Sequence, residues 1–150
     1  NLAFGTNDFT LEMDIQFNSF PGDGEVIGQN YYGWNYGWNI YENGSTVTFY
    51  AGQGLGSASA AWAPTLNTWY HLALSRNSNS LRFFVNGTQI GATATMSDNI
   101  IEKSGPLVIG RPYNTDGQNT NIALDNLRIT NGIGRYTADF TAPAAAFRNY

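Results

Sequence analysis

The sequence predicts an all-β chain folded as a two-sheet antiparallel β-sandwich, and three stretches carry that expectation. Phe9 to Phe17 alternates strictly, with Phe9, Leu11, Met13, Ile15 and Phe17 on one face and Thr10, Glu12, Asp14 and Gln16 on the other. That is the period of a half-buried strand. Trp69 to Leu74 and Leu81 to Val85 are short apolar runs, of the kind a buried strand presents, separated by the polar segment Ser75 to Ser80. Asn86-Gly87 follows the second run directly. Asn-Gly is the favoured pair for a two-residue type I′ hairpin, because both central residues take positive φ. Thr88 to Ala94 then returns as a third strand, and a meander of this kind needs another layer to cover its apolar face.

Taken in order, Phe9 to Phe17 is the first strand, Pro21-Gly22-Asp23-Gly24 is a turn, and Glu25 to Gly28 restarts a short strand. Asn30 to Tyr41 (NYYGWNYGWNIY) contains the aromatic residues Tyr31, Tyr32, Trp34, Tyr36, Trp38 and Tyr41. Its latter half, Gly37 to Tyr41, enters a strand that closes at Asn43-Gly44, and Thr46 to Ala51 is the return strand. Gln53 to Ala61 is rich in Gly, Ser and Ala, a loose strand or a loop, and Trp62 ends it before Ala63-Pro64. After the central meander, Met96 to Gly105 is a polar connection without an assigned element. Leu107 to Gly110 is a short strand, Pro112 to Asn121 a long polar loop, and Ile122 to Thr130 a further strand. Gly132 to Tyr136 reads as a turn or a single helical turn, and Phe140 to Phe147 as an extended tail along the sandwich edge. No internal repeat is visible.

At 150 residues the chain suits one domain with a core of its own. Charged residues are 12% of it, about half the usual share, while aromatic residues reach 15%. The surface is therefore built largely from Asn, Ser, Thr and Gly. A net charge of −4 and the absence of any Lys/Arg run argue against nucleic acid and anionic membrane as partners. There is no cysteine, hence no disulfide or thiolate metal site, and no apolar run approaches the ~20 residues of a membrane span. The chain starts at Asn1 without a signal-like segment, which reads as a domain boundary.

Trp69-Tyr70-His71-Leu72-Ala73-Leu74-Ser75-Arg76, a polar turn, Leu81-Arg82-Phe83-Phe84-Val85-Asn86-Gly87 and then Gly91 resemble the central signature of laminin-G-like domains. These belong to the concanavalin A-like lectin and glucanase group of jelly-roll sandwiches. The resemblance implies a single jelly-roll domain over residues 1–150, in a fold that hosts lectins, glycosidases, adhesion modules and spacers. It also implies a strand ahead of Leu2 to Thr10, here missing or cut short, to be supplied from upstream or by a neighbouring subunit. The closing stretch from Leu124 to Pro143 (LDNLRITNGIGRYTADFTAP) resembles the last segment of laminin-G-like modules in bacteriophage virion proteins: tail fibres, receptor-binding proteins and capsid decorations.

Glu12-Met13-Asp14-Ile15-Gln16 resembles the catalytic strand of laminarinases and lichenases, whose last motif position is an acid/base Glu. Gln16 stands there instead. A retaining glycosidase needs two carboxyl groups about 5–5.5 Å apart, so the expectation is no enzyme and an ordinary solvent-facing polar face. Sugars present C–H faces to aromatic rings and hydroxyls to amides. That chemistry makes Tyr31, Tyr32, Trp34, Asn35 and Asn39 the candidate glycan site, with Trp38 and Tyr36 assigned to the core. Calcium takes six to eight oxygen ligands; the candidates are Asp23, Asp116, Asp125 and Asn126. His71, the single histidine, is expected to be a satisfied structural residue. Asn43-Gly44-Ser45 and Asn86-Gly87-Thr88 match a glycosylation triplet, but hairpin chemistry accounts for both.

The resulting expectation is a non-catalytic carbohydrate-binding or adhesion module of a phage virion or other extracellular surface protein. The alternative is a structural capsid or tail decoration that contacts proteins without binding glycan. Expected partners are glycan or host-surface polysaccharide and other virion or surface subunits, with homo-oligomers allowed and neither nucleic acid nor membrane insertion expected. Calcium is the one cofactor considered.

Overall fold

The structure is a computed structural model that describes residues 2–20, 24–30, 37–52, 55–101, 105–111 and 119–147. Its strands are β1 (Phe9–Ser19), β2 (Gly24–Asn30), β3 (Gly37–Glu42), β4 (Thr46–Tyr50), β5 (Ser57–Ala61), β6 (Trp69–Asn77), β7 (Ser80–Val85), β8 (Thr88–Thr95), β9 (Leu107–Ile109) and β10 (Asn121–Asn131). They form two five-stranded sheets, ordered β10-β1-β6-β7-β8 and β5-β4-β3-β2-β9. Every ladder between these strands is antiparallel. The expected all-β two-sheet sandwich is what forms, and no helix occurs among the described residues.

The inner faces meet as the alternation requires. Phe9, Leu11, Met13, Ile15 and Phe17 of β1 are fully buried, with Leu72, Leu74, Leu81 and Phe83 beside them and Ile27, Trp38, Ile40, Val47 and Phe49 opposite. Aromatic rings fill one end: Phe4 stacks on Phe9 at 4.2 Å and meets Trp38 at 5.1 Å. Trp38 is thus core, as expected, and its indole N–H donates to the Leu2 carbonyl at 3.1 Å. Along one side the sheets close tightly because the residues there are small. A Cβ at Gly91, whose φ is +65°, would lie 2.8 Å from the Ala60 Cβ.

Several elements differ from expectation. β6 runs on through Ser75, Arg76 and Asn77, and the turn is only Ser78-Asn79, both at positive φ. Ser75 and Arg76 are buried in the strand because each has a partner waiting, as described below. Asn86-Gly87 is the two-residue turn expected, with φ of 52° and 84°. Asn43-Gly44 closes its hairpin differently: the Asn43 side-chain oxygen accepts the N–H groups of Ser45 and Thr46, and only Gly44 has positive φ. Ser57–Ala61 is a full strand. The Met96 to Gly105 connection is not merely polar, since Met96 and Ile100 enter the core and Ile100 exchanges backbone hydrogen bonds with Gly5. Gly132 to Tyr136 makes no helical turn.

Glu42 ends β3 with its carboxyl group fully buried, accepting the Gly44 N–H at 2.8 Å. Burial pushes its pKa up to about 7, against the lowering effect of the Gly44 and Asn43 N–H groups. The folded chain therefore holds the Glu42 proton more tightly than the unfolded one, and this contribution to stability is lost as pH rises from the unfolded value towards 7. Glu42→Gln is expected to match the parent near pH 4.5 and exceed it by about 1–3 kcal/mol at pH 8. Urea unfolding at the two pH values checks this, and an equal difference at both would rule out Glu42 titration as the cause.

Candidate functional site

The outer face of the β10-β1-β6-β7-β8 sheet carries the polar side of β1, and the strand register sets its neighbours. Arg128, Glu12, Ala73 and Phe84 lie in one cross-strand row. Asp125, Asp14 and His71 form the next, and Ala123, Gln16 and Trp69 the one after that. Expected to face solvent, this surface does so only in part.

The segment after β10 folds back over the Glu12 row. Tyr136 and Phe140 stack at 3.6 Å, and both rings contact Phe84, with Phe140 also edge-on to His71. Backbone bonds fasten this strap: Arg135 N–H donates to Thr10 Oγ1, Tyr136 N–H to Ser75 Oγ and Phe140 N–H to the Gly87 carbonyl. A Cβ at Gly87 would collide with the Phe140 carbonyl, and one at Gly134 with the Arg76 carbonyl, so both glycines permit the close approach. The tail thus covers a sheet face, where the sequence suggested an edge.

Glu12 is consequently fully buried. Arg128 Nε donates to its Oε1 at 2.7 Å and Tyr136 Oη to its Oε2 at 2.7 Å, with Arg135 Nε 3.8 Å from Oε1. His71 Nε2 lies 3.5 Å from Oε2, an ion pair when the ring is protonated. Burial alone would raise the Glu12 pKa, but the His71, Arg128 and Tyr136 contacts and the Arg128 charge outweigh it and hold the carboxyl below its ordinary value. Tyr136 is pushed up to about 12, by burial first and then by Glu12. His71 is buried, and among the described residues the Glu12 contact at 3.5 Å is what its ring nitrogens meet, with no well-formed hydrogen bond to either, so it is less satisfied than the sequence suggested. A carboxylate sealed this way is a fastening point, not a group that can reach a substrate.

Beyond the strap the same face opens. Asp14, Trp69 and Asp125 line an open pocket of about 140 Å³. Trp69 is 49% exposed, although its apolar run suggested burial. It begins β6, and the turn before it is tied by a bond from Asn67 N–H to the Phe17 carbonyl. Asp14 Oδ2 accepts the Asn126 side-chain amide at 2.7 Å, and Asp125 Oδ1 accepts the Asn126 backbone N–H at 2.7 Å. Asn126 has φ 49° and sits at a register shift in the β1–β10 ladder, a bulge that re-aims the strand here.

Of the candidate glycan residues, Tyr31, Tyr32, Trp34 and Asn35 lie outside the described residues, as do the calcium candidates Asp23 and Asp116. Asn39 is buried in β3, its amide donating to Glu25 Oε2 at 3.2 Å and to Tyr41 Oη at 2.9 Å. Asp125 and Asn126 sit mid-strand in β10, beside Asp14. Among the described residues no group of three or more His, Cys, Asp or Glu is placed to hold a metal ion. Sequence reasoning missed Trp69 as a surface aromatic. The available signal was the alternation of β6, which sets Trp69 and His71 on the face opposite Tyr70, Leu72 and Leu74.

Residues 1–133 match a laminin-G-type family model described as the concanavalin A-like lectin/glucanases superfamily. No curated protein matches the chain. Among solved structures, the chain is similar to a candidate carbohydrate-binding protein from Bacteroides ovatus, with TM-score 0.68, 17% identity, and 91% of this chain and 39% of that one covered. It is similar to domains LG4-5 of the mouse laminin α1 chain, with TM-score 0.58, 15% identity and 86% and 36% covered. Trypanosoma rangeli sialidase gives TM-score 0.59, 12% identity and 83% and 20% covered. At these identities the likeness is one of fold, and the chain spans well under half of each of these three proteins.

Proposed function

On the premise that the chain belongs to the concanavalin A-like lectin/glucanases superfamily, we propose that it is a non-catalytic carbohydrate-binding and adhesion module. The observation that carries this reading is the open pocket in which the exposed indole of Trp69 stands beside the Asp14 and Asp125 carboxylates. An aromatic platform with a few convergent polar groups is what a sugar ring requires. Against catalysis stand Gln16 at the acid/base position and Glu12 with both oxygens engaged beneath the strap. Tyr31, Tyr32, Trp34 and Asn35 enter the proposal as a second glycan surface, without Asn39, whose buried amide is already engaged by Glu25 and Tyr41. Calcium on Asp23, Asp116, Asp125 and Asn126 enters as a separate proposal, which the chelator arm below tests. The setting proposed is the surface of a phage virion or another extracellular surface, on the resemblance of the stretch from Leu124 to Pro143, with other surface subunits or copies of this chain as partners.

A glycan array on the purified domain, with and without chelator, tests the reading. Trp69→Ala is expected to weaken binding about tenfold or more, the loss of ~1.4 kcal/mol of ring contact. Binding lost in Tyr32→Ala/Trp34→Ala but kept in Trp69→Ala moves the site to the aromatic segment, and chelator sensitivity adds calcium. A well-folded domain that binds no glycan leaves the structural decoration module in its place.

A further inference from the structure

The geometry points to an amine-bearing sugar, a 2-amino-2-deoxyhexose carried as its ammonium form, as the ligand of the Trp69 pocket. The inference rests on the carbohydrate-binding reading and narrows it to a substrate class. Asp14 and Asp125 are direct cross-strand partners on β1 and β10, and both line the pocket with Trp69. Like charges directly opposite in an antiparallel pair destabilise the sheet, so this exposed pair favours a ligand that brings a cation to it.

Among the described residues neither Asp14 nor Asp125 forms an ion pair, and the nearby Arg128 and Arg135 are directed to Glu12. Asn126 offers one neutral bond to each carboxylate, to Asp14 Oδ2 and to Asp125 Oδ1. Asp14 Oδ1 and Asp125 Oδ2 have no hydrogen-bond partner among the described residues. An ammonium placed between them would make charge-assisted bonds to both. The pyranose ring bearing it would lay its C–H face on the indole, with further attraction between cation and ring.

The same arrangement discriminates against other ligands. An N-acetylated sugar keeps the ring contact but loses the charge, and a neutral hexose offers only hydroxyls. A sialylated or sulfated sugar brings a third negative charge to a chain of net charge −4. A bare divalent cation is served poorly, since it wants six to eight oxygens and the described residues beside the two carboxylates add only an indole.

Calorimetric titration with four tetrasaccharide probes tests the inference on the folded domain: glucosamine tetramer, N-acetylglucosamine tetramer, cellotetraose and a sialylated tetrasaccharide. The glucosamine tetramer is expected to bind at least tenfold more tightly than the others, with the gap narrowing in high salt. Asp14→Asn/Asp125→Asn, which keeps both bonds to Asn126 available, is expected to bring the glucosamine and N-acetylglucosamine tetramers to parity. Trp69→Ala is expected to weaken both. Equal or tighter binding of a neutral tetramer through Trp69 overturns the amine assignment and leaves the carbohydrate reading standing. Glucosamine binding unchanged in the double Asp variant overturns the pocket, as does calcium binding that the same variant abolishes. No binding of any probe overturns this inference, and a blank glycan array beside it overturns the carbohydrate reading as well.

Discussion

Arg76→Ala is expected to lower the unfolding free energy by about 3–5 kcal/mol, on the order of 10 °C in Tm for a domain of this size. Arg76 is fully buried near the end of β6, and its guanidinium bonds to three parts of the chain: Gly5-Thr6, Asn79 and Asp98. Nη1 donates to the carbonyls of Gly5 (3.3 Å) and Asp98 (3.1 Å), and Nη2 to the Thr6 carbonyl and Asn79 Oδ1, each at 3.3 Å. Burial lowers its pKa while the charges of Asp8 and Asp98 oppose that shift. Alanine would leave these acceptors without a donor and a cavity where the side chain lay. Arg76→Met separates the two effects, because it keeps most of the volume and none of the donors. Guanidinium unfolding should show methionine recovering less than half of the loss. A cost below ~1 kcal/mol for alanine would mean that the carbonyl contacts do not fasten this end of the sandwich.

Glu12→Gln is expected to cost about 2–3 kcal/mol at pH 7 and to loosen the strap from Ile133 to Ala142 before the rest of the fold. Removing one partner of a buried ion pair costs about 3–5 kcal/mol; the partial exposure of Arg128, 30% for its side chain, reduces that here. Glutamine keeps the volume and can still accept from Tyr136, but it turns an amide N–H₂ towards Arg128 or leaves that cation unpaired. The folded-state pKa of Glu12 is depressed, so its stabilisation is present above the unfolded carboxylate value and lost as pH falls through the folded one. The parent should therefore lose stability on the acid side of the ordinary Glu range, and the variant should lack that component. Amide hydrogen exchange reads the second part: protection at Arg135, Tyr136 and Phe140 should fall while β3 and β4 keep theirs. Uniform loss across both sheets would show that the strap has no separate opening.

The legible part of this fold was local. Alternation placed Phe9, Leu11, Met13, Ile15 and Phe17 inside because strand side chains have a period of two. Asn86-Gly87 announced its turn because both positions need positive φ. Trp38 was assignable to the core from its place in a strand of alternating apolar residues. The candidate site was far less legible. Glu12, Asp14 and Gln16 were correctly placed on one face, yet that face divides into a sealed part and an open part. Nothing in residues 9–17 marks the division, because the cover comes from Tyr136 and Phe140, and Tyr136 lies 124 positions beyond Glu12. Trp69 read as core because an aromatic residue at the head of an apolar run normally is. Its exposure follows from the strap ending over His71, one row short of it.

The sequence by itself determined the strand periods, the Asn86-Gly87 turn and the all-β sandwich, since each depends on neighbours a few residues apart. Only the tertiary structure decided which polar residues are buried. It turned Glu12, read as solvent-facing, and Arg76, read as part of a polar turn, into fastening points, and it set Trp69, Asp14 and Asp125 around one open pocket. Burial of a charge depends on whether distant groups arrive to pair with it, and residue spacing along a strand holds no record of which distant segment will.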